Sequence, residues 1–373
     1  RDWSSDVCSS DLHEGARTPH FDFVCPLLSL PHLLGPDVAS GHALNIPQTI
    51  PYLALDHARS ATWEQHFATP GLRVGLVWAG NPSHKNDANR SVDLNTLAPL
   101  LALDGVQFYS FQVGPRSADL DALEPQVRAK VTDMAPHLKD FGDTAAALVH
   151  VDVLVCVDTS IAHVAGALGL PVWLLVPWMP DWRWLLERAD SPWYPSLRIL
   201  RQPSYRDWDT VVTTLSKDVK ELANPASAGG RRRTQTAHAL VEQGRVLLER
   251  NEPALAAPAF WQALRECPTH ARAARALAIC AFRSGHTHAA VMLGARACRQ
   301  ATTDPENWSN CGAYFKATGD LQSALAFQTK AVELNPANFQ AWLDLGRICR
   351  ERGKFSEAED AFRKFMELNP VDD

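Results

Sequence analysis

Several common functional classes lack their material here. Charged residues make up only 21% of the 373, and the net charge is −6, so there is no basic stripe to grip nucleic acid. Eight Cys are scattered with no C-x-x-C pair and no His at metal-ligand spacing. That excludes a zinc module and a disulfide scaffold, and the cysteines read as reduced thiols filling a core. No long hydrophobic run survives inspection: the most apolar span, Val164–Pro180, is interrupted by Gly169, Pro171 and Pro177. It reads as helix, turn and strand rather than a transmembrane segment. No secretory signal is read, and the expected location is cytoplasmic. A hydrophobic fraction of 46% over this length provides for two or three soluble domains.

The informative stretch is VDVLVCVDTSIAHVAGALGLPVWLLVPWMPDWRW, 151–184. Val151–Val157 is an apolar, β-branched run suited to a parallel strand buried on both faces. Asp158, Thr159 and Ser160 follow as helix N-cap residues, and Ile161–Leu168 reads as a short helix. Gly169 stops it, Pro171 prevents its continuation, and Val172–Val176 reads as a second buried strand. A strand that delivers Asp-Thr-Ser to a helix N-terminus gathers hydroxyls, free N–H groups and a positive dipole end. That combination suits an anion, most naturally a phosphate. With Thr159 as cap, His163 lies four residues on and shares its face.

Around this stretch the chain divides by pattern. Arg1–Leu12 has no periodicity and back-translates as sequencing-library adapter read in frame, so the true N-terminus is expected to be missing. Residues 13–67 look like the tail of a domain, with the strand-like Phe21–Gly35, an extended connector at Ile46–Leu53, and one or two helical turns at Ala61–Phe67. Residues 71–222 read as an α/β lobe. Leu72–Gly80 is a strand, and the polar loop Asn81–Ser91 follows its C-terminal end, where open α/β sheets bind ligands. There either Lys85 or Arg90 neutralises a diphosphate or the segment is simply a solvated polar loop. Val92–Leu103 reads as a helix, Val106–Phe111 as a strand running into Gln112, and Ala118–Val131 as another helix. Asp143 stands near a further helix start, either as a ligand contact or as an N-cap. Strands alternating with helices imply a mostly parallel sheet. The aromatics at 178, 182, 184, 193 and 194 form either a stacking wall for a base or sugar or a clasp against the sheet. Asp209–Leu222 closes the lobe.

Residues 223–236, beginning ANPASAGGRRR, read as a flexible basic linker. From Ala237 the period changes. Units 237–270, 271–304, 305–338 and 339–372 repeat every 34 residues without a gap. Gly244, Ala278, Gly312 and Gly346 share one small position, Ala256, Ala290, Ala324 and Ala358 another, and Trp308 and Trp342 a large one. This pattern resembles the tetratricopeptide repeat, in which small residues let paired helices approach. Four such pairs would line a groove with Gln243, Arg245, Arg275, Asn310, Lys316, Asp344 and Arg347, a mixture that suits a peptide or protein. His270, His286 and His288 do not recur between units and read as surface residues.

Asp158-Thr159-Ser160-x-x-His163 and the following Pro180–Trp184 and Asp190–Pro195 resemble the heptosyltransferase-like, family 9 glycosyltransferases, in the bacterial branch joined to tetratricopeptide repeats. The loop G-N-P-x-H-x-N-D-x-x-R-S has the same character, which favours Arg90 and Asn86 over Lys85. The resemblance implies a GT-B enzyme: a remnant of the N-terminal lobe, a Rossmann-like C-terminal lobe at 71–222 that binds the nucleotide sugar, and a helical solenoid. Asp158, Thr159, Ser160, His163 and Arg90 would meet the donor diphosphate, with Asn81, Asn86, Gln112, Asp143, Asp181 and Trp182 around the donor pocket. No metal or other cofactor is implied. The acceptor base belongs to the missing lobe, so it is not assigned, and the fragment is expected to be inactive alone. Two other readings stay open: a non-catalytic scaffold whose repeats bind a protein, and a nucleotide-sugar epimerase.

Overall fold

β-Branched and leucine-rich runs of five or six residues become the strands of one sheet, and the segments between them become its covering helices. The computed structural model describes residues 50–369. The segments read above as adapter and as strand-like Phe21–Gly35 lie outside the described residues. So do the first part of the connector at 46–53 and the end of the last repeat beyond 369. Within the described part, α1 is His57–Ala61, and a 3-10 turn covers Glu64–Phe67. The lobe then runs β1 (Leu72–Val77), α2 (Asp87–Arg90), α3 (Ala98–Leu101), β2 (Val106–Ser110), α4 (Pro125–Arg128) and β3 (Val131–Asp133). It continues with α5 (Phe141–Leu148), β4 (Val153–Val157), α6 (Ser160–Ala167), β5 (Val172–Val176), β6 (Leu197–Arg201) and α7 (Trp208–Ala223). All six strands are parallel, in the order β3-β2-β1-β4-β5-β6. Every residue of β4 and β5 is buried, as continuous apolar strands in a two-sided parallel sheet must be.

Proline decides where the sequence pattern misleads. Val92–Leu103 is not one helix: Asp93 caps a 3-10 turn at Leu94–Leu97, and the four-residue α3 follows with Pro99 in its first turn. Ala118–Val131 is not a helix either. A 3-10 segment spans Pro115–Ala122, and Pro125 holds the preceding Glu124 extended (φ −51°, ψ 136°), so the chain restarts as α4 and passes into β3.

The second half is a solenoid of paired helices: α8 (Ala228–Glu249) with α9 (Pro253–Glu266), α10 (Ala271–Arg283) with α11 (Thr287–Gln300), α12 (Pro305–Ala317) with α13 (Leu321–Leu334), and α14 (Phe339–Glu351) with α15 (Phe355–Leu368). The 34-residue frame fixes the helix starts at 271, 305 and 339 and again at 253, 287, 321 and 355. The turn inside each pair carries the same period, because its left-handed residue is Asn251, Gly285, Gly319 or Gly353 in successive units. Small residues on the first helices seat larger partners sixteen residues on. A methyl added to Gly244 or Gly346 would stand 2.6 Å from the ring of Phe260 or Phe362.

The linker read at 223–236 is corrected. Only Asn224–Ser227 separates α7 from α8, because Ser227 caps the new helix by accepting from the Gly230 N–H. Arg233, read as part of that linker, is held by Asp218 and Glu221 of α7 and lies close to Glu266 of α9. Its charge therefore fastens the repeats to the lobe. His270 is also corrected: it is 7% exposed and caps α10, whereas His286 and His288 are exposed as read.

Lobe and repeats form one compact unit with a shared hydrophobic core. The second helices of the first two pairs add to the join that Arg233 of α8 makes. Arg265 of α9 donates to the Pro195 carbonyl at 2.5 Å. Arg296 of α11 is 3% exposed and donates to the carbonyls of Asp152 (2.7 Å) and Pro268 (2.9 Å). A separate small cluster joins Ala331 and Val332 of α13 to the last pair. No helix among the described residues is long and apolar enough to cross a membrane.

Candidate functional site

The strand order reverses its direction of growth between β1 and β4, and the loops leaving the carboxyl ends of these neighbours diverge to leave a crevice. Val77 of β1 pairs with Cys156 of β4, so both loops emerge at one level. The β1 loop is pinned from the next strand: the buried Gln112 accepts from the N–H groups of Trp78 (3.1 Å) and Ala79 (2.9 Å). Gly80 donates to Ser91 Oγ at 3.1 Å, and a side chain at Gly80 would collide with Arg90 and Asp87. That glycine therefore lets the Arg90 guanidinium cross the loop. Arg90 bonds Asp87 through Nε (3.1 Å) and the Asp158 carbonyl through Nη1 (2.9 Å). Residues 68 apart in sequence thus meet at the mouth of β4.

At that mouth Thr159 is the N-cap of α6 by its extended backbone (φ −142°, ψ 169°), yet its hydroxyl caps nothing. Thr159 Oγ1 is buried and has no hydrogen-bond partner among the described residues. Ser160 is exposed beside it. One turn on, the His163 ring stacks on Trp184 (5.3 Å between centroids, 24° between planes), and its Nδ1 lies 3.1 Å from the Tyr194 hydroxyl. Burial lowers the His163 pKa, and Arg183 adds to that, against the opposing charges of Asp158 and Asp181. The ring is therefore neutral at pH 7. Burial also raises the Tyr194 phenol well above its ordinary range, so it keeps its proton.

Other residues singled out from the sequence make hydrogen bonds within the chain. Gln112 is the loop clip just described. Asp143 does not cap α5, a role held by Asp140; it accepts from Arg59 Nε (2.7 Å) and the Lys139 N–H (3.0 Å). Asp181 caps the Trp182–Trp184 turn and pairs with Arg183 at 2.8 Å. Asn81 closes its own turn on the Ser83 N–H, and Asn86 accepts from Asn89. The aromatic group divides: Trp184 and Tyr194 are buried as a clasp over His163, while Trp178 and Trp182 are 48% and 44% exposed. The sequence marks these aromatics as a cluster, but the partnership of Trp184 and Tyr194 with His163 appears only when the chain is folded.

On the repeats, most of the charged side chains assigned to the groove are tied to acidic neighbours. Arg245 pairs with Glu242 (2.7 Å), Arg275 with Asp304 (2.9 Å) and Glu306 (2.8 Å), Lys316 with Glu351 (2.8 Å), and Arg347 with Asp344 (3.4 Å). Several of these link successive first helices.

The family model for the tetratricopeptide repeat matches residues 241–305 and 313–373. The solenoid is built of tetratricopeptide repeats. The chain is also similar to the protein FlbA of Caulobacter vibrioides, at 25% identity over 181 residues. That match takes in 48% of this chain and spans 30% of the length of FlbA. Among solved structures it is similar to MamA from Desulfovibrio magneticus RS-1, at 20% identity, 38% of this chain, 79% of that chain and a TM-score of 0.34. A second is YrrB, described as a tetratricopeptide-repeat protein with an unusual peptide-binding site, at 21% identity, 35% of this chain, 68% of that chain and a TM-score of 0.33.

Proposed function

We propose that the α/β lobe binds a nucleotide diphosphate at the β1/β4 crevice, as the donor side of a glycosyl transfer, and that the repeats hold a protein or peptide partner. One observation carries this reading: the unpartnered Thr159 hydroxyl, the exposed Ser160 and the His163 ring gather at the start of α6, with Arg90 reaching the same point from the β1 loop. The strand order is that of doubly wound nucleotide-binding sheets, whose ligands sit at this reversal. The first amides of α6 have no intrahelical acceptor and face the anion with the dipole's positive end. In this reading the Tyr194 O–H donates a hydrogen bond to His163 Nδ1, and the ring carries its own proton on Nε2, toward a diphosphate oxygen. The acceptor base is not assigned.

Calorimetry with UDP, GDP, ADP and CDP tests the site on the wild type and on the Ser160→Ala, His163→Ala double variant. Two charge-assisted bonds are worth roughly 1.5–3 kcal/mol each, so the variant should bind at least about tenfold more weakly. If the wild type binds none of the four, or the variant binds as well, the crevice is not a diphosphate site. The scaffold reading draws on the structural employment of Gln112, Asp143 and Asp181, and gains from the first of those outcomes.

A further inference from the structure

A second recess lies away from the crevice, where α7 and α8 meet the turn into α10. It is a cleft of about 280 Å³ lined by Glu221, Arg233, His238 and the turn Thr269–Arg272. His270 holds the position just before the first helix of its unit, which Asp304 and Asn338 hold in the next two. All three cap: Asp304 accepts from the Glu306 N–H (3.0 Å), Asn338 from Ala341 (3.1 Å), and His270 Nδ1 from Ala273 (3.1 Å). A cap needs only one acceptor, and aspartate or asparagine supplies it well. The histidine brings a second nitrogen that the cap does not use. Because Nδ1 accepts, the neutral ring carries its proton on Nε2, and this N–H is buried with no partner among the described residues.

The neighbouring groups are donors as well. The Ala271 and Arg272 amides are in the first turn of the thirteen-residue α10, where no intrahelical acceptor exists, and none is found elsewhere among the described residues. Arg272 and His238 are exposed at the rim, where the Arg272 guanidinium pairs with Glu242 at 2.8 Å. Glu221 also lines the cleft, but Arg233 answers its charge at 2.7 Å.

We propose that this cleft binds a small oxyanion, phosphate or a phosphate monoester, through the Ala271 and Arg272 amides, His270 Nε2–H and the side chain of His238. A phosphate offers acceptors only, which matches a lining whose unspent groups are donors. The His238 ring stands edge-on to His270 at 4.8 Å. Burial holds the His270 pKa near 4, with His238 and Arg272 adding to the effect, so the ring is a neutral donor at pH 7. The site is independent of the β1/β4 crevice and stands whether or not that crevice binds a nucleotide.

The test is a titration of the full chain, followed by the backbone amide resonances of Ala271 and Arg272 at constant ionic strength. Inorganic phosphate and glycerol phosphate are the probes and chloride is the control. Saturable shifts with either phosphate and none with chloride are expected, and the tighter of the two identifies a free ion or an ester. His270→Asn keeps the cap, as Asn338 does, and removes the second donor. It should melt at the wild-type temperature without phosphate and bind about tenfold more weakly or worse. If that variant unfolds, His238→Ala at the exposed rim takes its place with the same expectation. Equal responses to chloride and phosphate, or unchanged phosphate binding in the variant, overturn the proposal.

Discussion

Gly166 lies buried in α6, and replacing it with alanine should be destabilising even though alanine is the better helix former. The added methyl would stand 2.5–2.8 Å from Cγ, Cδ1 and Cδ2 of Tyr194. Carbon atoms prefer about 3.5–4.0 Å, so the ring must retreat by about 1 Å. It has little room: Tyr194 is 8% exposed, and its hydroxyl is engaged with His163. Overpacking of this kind costs about 1–3 kcal/mol, loss of the phenol–imidazole bond adds about 1, and the gain in helix propensity returns about 1. The expected net effect is a loss of about 1–3 kcal/mol. In a Tyr194→Ala background the collision is gone while the propensity gain remains, so Gly166→Ala should stabilise by up to about 1 kcal/mol there. Urea unfolding of the four proteins in this cycle reads both signs, provided the denaturant slopes agree. Stabilisation in the wild-type background, or the same effect in both backgrounds, would refute the argument that Tyr194 confines this glycine.

Acid should weaken the fold before ordinary carboxylates titrate. His150, bonded to Ser60, has its pKa pushed down to about 4 by burial, with Arg299 and Arg73 adding to it, and burial brings His270 to about 4 as well. In the unfolded chain both titrate near 6.5, so below that pH the unfolded state binds protons the native state refuses. Each histidine should then remove about 1.4 kcal/mol per pH unit between 6.5 and 4, which urea midpoints at pH 7 and pH 5 will show. His150→Gln should flatten the dependence, and equal midpoints would contradict it. Among the repeat helices, hydrogen exchange should be slowest along α11, where ten of fourteen residues are buried, and fastest in α15, where only Ala358 and Ala361 are. Uniform protection of the two helices in a monomer would remove that expectation.

What was legible in the sequence depended on whether a local pattern alone decided the structure. β4 and β5 are apolar throughout and need no information from elsewhere, and the cap-and-stop residues fix α6 to within a residue. The 34-residue frame is set by contacts within each helix pair, so the helix starts follow from it. The misreadings lie where a periodic stretch contains a residue that breaks it, as Pro125 does within Ala118–Val131. At the crevice, hydroxyls and imidazole were visible as a motif. Their relation to Arg90, Trp184 and Tyr194 was not, because it depends on which strand lies beside β4. Gln112 and Asp143 carry the right chemistry for a ligand pocket, but a polar side chain in a loop serves equally well to hold the loop.

The docking of lobe and repeats, which the sequence reading missed, does have a signature in it. Successive units place Trp261, Ala295, Thr329 and Arg363 at one position of the second helix, and Arg265, Arg299, Glu333 and Glu367 at another. In the first two units these positions face the lobe: Trp261 and Ala295 are buried, and Arg265 reaches Pro195. In the last two they meet solvent, where Glu333, Arg363 and Glu367 form intrahelical ion pairs with Lys330, Glu359 and Lys364. A repeat frame therefore gives two kinds of information. Positions that stay constant report packing inside the solenoid, and positions that drift from apolar to charged report which units have a neighbour. The lobe covers the second-helix side of the early units, and the first helices carry a ladder of charges from Glu242 through Arg275 and Lys316 to Glu351. The exposed Arg272–Glu242 pair in that ladder contributes about 0–1 kcal/mol, as surface ion pairs do.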